Sequence, residues 1–197
     1  MWAEIISFAV LALLAAMSAA DLRAADDLTI DHQDVARHYL MHRSAADELG
    51  RPLLIYLHGQ RPAGWQNHTQ ADFDAAADRE GFVVVYPEAL EHRWSYTGQL
   101  SAPVKAGEQI ADDVGFIGKL IDDLVARRIA DVKRVYAISE SRGELMTFEL
   151  MCHLADRIAA RWTTDHRHDG GPARRLQTGS NGADFCGGWN QRSDPAL

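Results

Sequence analysis

A serine lies at the centre of residues 137–146, AISESRGELM, where its neighbours favour nucleophilic chemistry. An apolar segment that predicts a strand precedes Ser141, a segment that predicts a helix follows it, and the local pattern is Ser-x-Ser-x-Gly. A sharp strand-to-helix turn lifts a serine hydroxyl above a sheet, and the helix N-terminus directs N–H groups at a developing oxyanion. The pattern alone has little specificity, and a serine that caps the helix is the alternative interpretation.

The dipeptide His58-Gly59 ends the first strongly apolar segment and predicts the partner of this turn. In hydrolases with such a nucleophile turn, the loop after that strand gives one oxyanion N–H, and the residue after the nucleophile gives the other. In this sequence the two donors are the backbone amides of Gln60 and Arg142. The sequence therefore predicts a nucleophile with two oxyanion donors.

Apolar runs predict strands, and amphipathic segments between them predict helices. A continuous apolar run is typical of a strand buried on both faces of a parallel sheet, and such sheets need helices between their strands. The predicted strands are 36–42 (an outer strand), 51–59, 82–87 and 134–138, and the predicted helices are 70–80, 112–128 and 143–160. Their alternation predicts an α/β fold with a mainly parallel sheet flanked by helices.

Five separated segments carry a family resemblance: RPLLIYLHG, ADREGFVVVYPEAL, WSYTG, ADDVGFIGKLIDDLVARR and RVYAISESRGELMTFELMCHLADRIAA. In order and spacing they resemble the secreted polyhydroxybutyrate depolymerase and feruloyl esterase family of α/β-hydrolases, over about residues 36–160. The resemblance implies an α/β-hydrolase fold and hydrolysis of a carboxylic ester by a Ser-His-Asp triad, with Ser141 as nucleophile and no cofactor. Trp94 aligns with a loop near the family's substrate cleft, where it would stack on the substrate; a half-buried loop tryptophan is the alternative.

The turn around Ser141 departs from the family pattern. The family usually has Gly-x-Ser-Asn-Gly-Gly, whereas residues 139–144 of this chain read Ser-Glu-Ser-Arg-Gly-Glu. Serine is among the smallest replacements for glycine, and Gly143 is kept, so the sequence predicts a strained but feasible turn. Arg142 and Glu144 place long charged side chains beside the predicted site.

The triad acid and base have no clear candidates. In this fold the order along the chain is Ser, Asp, His, and the last two follow later strands. The sequence after residue 160 shows no strand or helix periodicity. Four of its side chains could act as acid, base or metal ligand: Asp165, His166, His168 and Asp169. A polar tail without a metal site is the favoured interpretation, since no strand is predicted to carry them, and Asp184 follows the histidines and so has the wrong order.

These patterns predict an incomplete α/β-hydrolase domain over residues 21–160 and an irregular tail over residues 161–197. Back-translation of the tail, read one nucleotide later, gives approximately TFVVVG, which would form a buried strand. A frameshift near Arg161 is therefore one hypothesis for the composition of the tail.

Residues 1–20 predict a secretory signal. An apolar run from Ile5 to Met17 is followed by Ser-Ala-Ala, which fits cleavage before Asp21, although Glu4 stands where a positive charge is usual. A membrane anchor is the alternative, but the run is shorter than the roughly 20 residues that span a bilayer. We expect a secreted or periplasmic protein without a stable membrane span.

Composition limits the classes of partner. The chain has 197 residues, 47% of them hydrophobic, which is ordinary for one globular core. A net charge of −8 argues against binding to nucleic acid. Cys152 and Cys186 are too few for a disulfide scaffold, although an exported protein could pair them; core packing is expected for Cys152. Asp112 and Asp113 are expected to cap a helix.

The sequence thus predicts a secreted carboxylic ester hydrolase of the polyhydroxyalkanoate depolymerase or feruloyl esterase type, acting on a polyester or an aromatic acyl ester. Weak or no activity is expected, because the triad acid and base are missing. The alternative is a non-catalytic pseudoenzyme or a fragment that binds ester-bearing polymers. The sequence leaves the oligomeric state open.

Overall fold

A seven-stranded mixed sheet forms the centre of the molecule, and helices pack against both of its faces. The structure is a computed structural model and describes residues 25–44, 49–59, 68–95, 111–164 and 177–178. The predicted signal segment and the predicted oxyanion donor Gln60 lie outside these residues. Within the described ranges, no helix is long and apolar enough to cross a membrane.

The strands and helices alternate along most of the chain. The strands are β1 (Asp26–His32), β2 (Val35–Arg43), β3 (Arg51–Leu57), β4 (Val83–Pro87), β5 (Ala130–Glu140), β6 (Ala160–Thr164) and β7 (Gln177–Thr178). The helices are α1 (His68–Glu80), α2 (Asp113–Ala126) and α3 (Gly143–His153), and a short 3-10 turn spans Leu90–His92.

The order of strands across the sheet is β1-β2-β4-β3-β5-β6-β7. The central strands β4, β3, β5 and β6 are parallel, while β1, β2 and β7 add to them in antiparallel fashion. β7 is short and pairs with only Ala160 and Arg161 of β6. The predicted α/β fold with a mainly parallel sheet is confirmed.

Local sequence explains where two helices end or begin. Gly81 follows α1 with a φ of +74°, which glycine adopts without strain, and its N–H bonds to the Ala77 oxygen at 2.9 Å. Helix α2 begins after Asp112, whose carboxylate accepts the Gly115 N–H at 2.8 Å. The predicted helix cap at Asp112 is therefore confirmed.

The two faces of the sheet pack against different helices. Leu53, Ile55 and Leu57 of β3 belong to the larger core, whose helical members in α2 and α3 are Phe116, Ile117, Leu120, Ile121, Leu124, Met146, Leu150 and Met151. Tyr56 points to the opposite face and packs with residues of α1 and β4. Because β3 is buried on both faces, its sequence is continuously apolar.

The predicted outer strand exists as β2, but it is not at the edge of the sheet. β1 pairs along its whole length with β2 on the side away from β4. Residues of β1 alternate between half-buried and exposed, so one face of β1 covers the core and the other meets solvent.

The prediction of a helix over residues 143–160 is wrong at its C-terminal end. α3 ends at His153, and Leu154 leaves the helical conformation with φ −126° and ψ 30°. Arg157 holds the turn that follows, since its guanidinium lies 2.8 Å from the Asp122 carboxylate of α2. This contact between distant elements has no signal in the local periodicity.

The prediction that no strand follows residue 160 is also wrong. The Ala159 N–H bonds to the Val135 oxygen at 2.8 Å, and residues 160–164 continue this pairing as the parallel strand β6. A strand of five residues beside β5 obtains its order from that neighbour rather than from its own composition.

A buried ion pair between Arg37 of β2 and Asp113 of α2 joins the sheet to this helix. The two side chains are 2% and 0% exposed, and a guanidinium nitrogen lies 2.5 Å from the carboxylate. Arg37 also donates to the Glu88 oxygen at 3.2 Å and lies over the Phe116 ring. The Ser95 N–H donates to Asp113 at 2.6 Å. Burial raises the pKa of Asp113, and the Ser95 N–H and the guanidinium oppose that rise.

Asp113→Ala should lower the free energy of unfolding by about 3–5 kcal/mol, because it leaves the Arg37 charge buried without an anion. Urea denaturation measures this change. The matched control is Asp123→Ala, since Asp123 lies in the same helix but pairs with Arg127 in solvent and should cost less than about 1 kcal/mol. Equal losses in the two variants would contradict a special role of the buried pair.

Candidate active site

Ser141 occupies a tight turn between β5 and α3. Its φ is +50°, in the left-handed region, which costs a residue with a side chain about 1–2 kcal/mol. The strand ends at Glu140 and the helix begins at Gly143, so two residues make the whole reversal. Strain of this kind persists only where neighbouring structure enforces it, and it is often found at functional sites.

The turn is enforced by its close approach to the end of β3. A Cβ atom on Gly143 would collide with the Leu57 oxygen and lie 2.9 Å from the His58 oxygen. A Cβ atom on Gly59 would lie 3.1 Å from the Ser141 Cβ and 3.6 Å from its Oγ. Gly143 is therefore required by backbone contact, and Gly59 borders the serine hydroxyl.

Serine in place of the usual glycine at position 139 fits the sheet. Ser139 is fully buried, and its backbone pairs with Leu57 of β3 and with Thr163 of β6. Ser139 thus lies in regular parallel pairing on both sides, and its presence does not prevent the turn at Ser141 from forming.

The predicted oxyanion donors are only partly described. Arg142 is exposed, has a φ of −64°, and immediately precedes α3. The Glu144 N–H already bonds to the Ser141 oxygen at 3.0 Å, which closes the first turn behind the serine. The Arg142 amide is therefore at the N-terminal end of the helix dipole. Gln60 lies outside the described residues.

Trp94 lies behind the end of β3 and is buried, with 2% of its surface exposed. Its indole N–H donates to the His58 oxygen at 2.8 Å, and the two rings are 4.9 Å apart. The sequence predicted a contact between Trp94 and substrate, which requires an accessible ring face. In this arrangement the ring supports the His58 segment instead.

The imidazole of His58 joins two segments beside the turn. Nδ1 lies 2.6 Å from the Gly59 oxygen, and Nε2 accepts the Ala89 N–H at 3.2 Å. The sequence pointed to the His58-Gly59 dipeptide but not to the contact between His58 and Ala89. A backbone amide 31 residues away leaves no pattern in the sequence.

The described residues that follow Ser141 include no histidine close enough to act as the triad base. The only histidine there is His153, at the C-terminal end of α3, about 15 Å along the helix at about 1.5 Å per residue. Its Nε2 lies 3.4 Å from Glu149, and its side chain is 54% exposed. His153 is therefore outside the reach of the serine.

The tail residues considered as acid, base or metal ligands lie outside the described residues: Asp165, His166, His168, Asp169 and Asp184. The sequence argued against a catalytic role for these residues because no strand was predicted before them. A strand does precede them, since β6 ends at Thr164, immediately before Asp165. Within the described ranges, no group of three or more His, Cys, Asp or Glu could hold a metal ion. Cys152 is disulfide-bonded, and Cys186 lies outside the described residues.

Comparisons with known proteins identify the fold. The chain superposes on an acetyl xylan esterase from Aspergillus awamori with a TM-score of 0.57 and 14% identity, over 72% of this chain and 51% of that one. A thermostable esterase gives a TM-score of 0.53 and 17% identity, over 70% of this chain and 40% of that one. The chain has an α/β-hydrolase fold.

Sequence similarity connects the chain to esterases. It is 34% identical over 111 residues to the bifunctional acetylxylan esterase/xylanase XynS20E of Neocallimastix patriciarum, covering 55% of this chain and 15% of that protein. It is 31% identical over 126 residues to the "putative esterase NocK" of Nocardia uniformis subsp. tsuyamanensis, covering 62% and 36%. The alignments therefore span about a third or less of these relatives. No family model matches the chain.

Gly143→Ala should disturb the turn, because the added methyl group would collide with backbone oxygens of the central strand β3. We expect a loss of about 1–3 kcal/mol or more in the free energy of unfolding, measured by urea denaturation. Gly118→Ala in α2 is the control: its Cβ would lie 3.5 Å from Leu154, an ordinary contact, so stability should stay the same or rise by up to about 1 kcal/mol. Similar losses in both variants would argue against close approach as the cause.

Ser141→Gly should be about 1 kcal/mol more stable than Ser141→Ala, because glycine adopts a positive φ without strain. At Arg142, where φ is −64°, alanine should instead be more stable than glycine by about 0.5–1 kcal/mol. Thermal and urea unfolding of the four variants gives both differences. The same order at the two positions would contradict strain at Ser141.

Proposed function

We propose that the chain is a serine-dependent carboxylic ester hydrolase with Ser141 as nucleophile. The observation that carries the proposal is the positive φ of Ser141 in a two-residue turn between β5 and α3, against Gly59. A costly backbone conformation that presents a hydroxyl at the carboxyl end of a parallel strand is the arrangement a nucleophile turn requires. The similarity in sequence to two proteins named as esterases supports the choice of an ester as substrate.

The proposed reaction begins with attack of the Ser141 Oγ on the ester carbonyl carbon. The C=O electrons move to the oxygen, and the Arg142 and Gln60 amides stabilise the resulting anion. Collapse of this intermediate breaks the bond to the alcohol oxygen, which takes up the Ser141 hydroxyl proton through water, and leaves an acyl-serine. Water then hydrolyses the acyl-serine, which frees the acid and restores the hydroxyl. The chemistry as proposed uses only side chains and backbone amides, without a metal or cofactor.

We further propose that hydrolysis by this chain is slow. The described residues after Ser141 include no histidine within reach of its hydroxyl, and a hydrolase that lacks a triad member retains only about 10³–10⁴ of acceleration over water. The same observation favours a second candidate, a non-catalytic protein that binds ester-bearing polymers. The two candidates differ in whether Ser141 reacts.

The substrate class we propose is an ester on a polymer, outside the cytoplasm. The names of the relatives favour short acyl groups on a polysaccharide, whereas the segments shared with depolymerases and feruloyl esterases favour a polyester or an aromatic acyl ester. Export through the apolar segment before Asp21 would bring the protein to such polymers.

The test is labelling with a fluorophosphonate probe, which reacts with activated serines. Intact-mass spectrometry should show that the protein gains the mass of one probe molecule. Protein recovered from the exporting cell should begin at Asp21. It should also hydrolyse p-nitrophenyl acetate or butyrate faster than buffer. Polyhydroxybutyrate oligomers, feruloyl esters and acetylated xylan then define the preferred acyl group.

Ser141→Ala is the variant that decides between the candidates, and Ser139→Ala is the matched control two residues away. Labelling should disappear in the first variant and persist in the second. A folded protein that is never labelled but binds the polymers would favour the non-catalytic candidate. Labelling that survives Ser141→Ala would show that another residue reacts.

A further inference from the structure

The ring of His58 has fixed roles for its two nitrogens. The Ala89 N–H can only donate, so the Nε2 atom 3.2 Å away must be unprotonated and accept. The Gly59 oxygen can only accept, so the Nδ1 atom 2.6 Å away must carry the hydrogen and donate. Both contacts are satisfied together only in the neutral form with the hydrogen on Nδ1.

The carbonyl that His58 holds belongs to the segment facing the nucleophile. A Cβ built on the α-carbon of Gly59 would lie against Ser141, and the Gly59 carbonyl belongs to the peptide group that follows this α-carbon. Because a peptide group is planar, the hydrogen bond from His58 to the Gly59 oxygen restricts the orientation of that plane. We infer that His58 is a positioning residue that, as the neutral Nδ1–H tautomer, sets this peptide plane beside Ser141. The effect of this positioning on catalysis rests on the proposed function.

The segment that contacts His58 is itself held by groups in the interior of the protein. The segment 88–95 supplies both the Ala89 N–H and the Trp94 indole N–H, which binds the His58 oxygen. This segment is attached at both ends to the buried ion pair: the Glu88 oxygen accepts from Arg37, and the Ser95 N–H donates to Asp113. The position of the imidazole is thus set by the interior of the protein.

Two substitutions at His58 separate its two contacts. In His58→Asn, the amide nitrogen takes nearly the position of Nδ1, so the donor to the Gly59 oxygen is kept. In His58→Gln, the amide oxygen reaches nearly the position of Nε2, so the acceptor for the Ala89 N–H is kept and the donor to Gly59 is lost. Comparison of the two variants isolates the effect on the Gly59 peptide.

We expect His58→Gln to lower both kcat for ester hydrolysis and the rate of fluorophosphonate labelling by about tenfold or more. KM should change little. The reason is that displacement of a catalytic peptide group by about 1 Å lowers the rate by up to about a hundredfold. His58→Asn should stay within about threefold of the parent. Equal losses in the two variants, in step with their melting temperatures, would show a structural role alone and overturn the proposal.

Nitrogen-15 NMR of the imidazole tests the same proposal without any reaction. The parent protein should show a protonated Nδ1 and an unprotonated Nε2, and the Gly59 carbonyl carbon-13 shift should move in His58→Gln but not in His58→Asn. A hydrogen on Nε2, or an unmoved Gly59 shift, would overturn the proposal. A parent protein that is never labelled at Ser141, yet shows these NMR results, would refute the proposed function while supporting the positioning of Gly59.

Discussion

The buried ion pair between Arg37 and Asp113 is the interaction on which the surroundings of Ser141, the proposed nucleophile, depend. Its charges lie away from water, so the pair is maintained by the hydrogen bonds and the aromatic ring around it rather than by Coulomb attraction alone. Burial raises the pKa of Asp113, while the Ser95 N–H and the Arg37 guanidinium act in the opposite direction. The pair joins β2, α2 and the segment after β4, which are distant in sequence. It therefore holds the segment after β4 at the carboxyl end of the sheet.

From this pair, a chain of short contacts reaches the serine. The segment 88–95 is held by Arg37 and Asp113, and its Ala89 and Trp94 hold His58. His58 contacts the Gly59 carbonyl, and Gly59 borders Ser141. Each step is a contact made by a backbone amide, a backbone carbonyl or a side-chain ring. The site is therefore built from the main chain of three neighbouring strand ends, and the serine hydroxyl is its one exposed reactive group within the described turn.

The sequence predicted the strands and the turn around Ser141 better than it predicted the elements after residue 153. β3 is buried or half-buried on both faces, and residues 135–140 of β5 alternate between buried and half-buried. Such segments have an apolar sequence that can be recognised without knowledge of the partner strand. β6 was not predicted because its five residues, Ala-Arg-Trp-Thr-Thr, show no periodicity, and the strand is formed by pairing with β5. The early end of α3 escaped because the Arg157 contact to Asp122 is made between distant elements. The support of His58 by Ala89 escaped for the same reason, since any residue type except proline offers a backbone N–H.

The short pairing of β7 with β6 leaves part of the edge of β6 without a strand partner among the described residues. β7 covers only the first two residues of β6, so the outer backbone groups of residues 162–164 have no strand partner within the described part of the chain. An uncovered strand edge is a template for another strand, either from the same chain or from a second molecule. Within the described residues, a strand added at this edge would pair with β6, the neighbour of the strand that leads to Ser141.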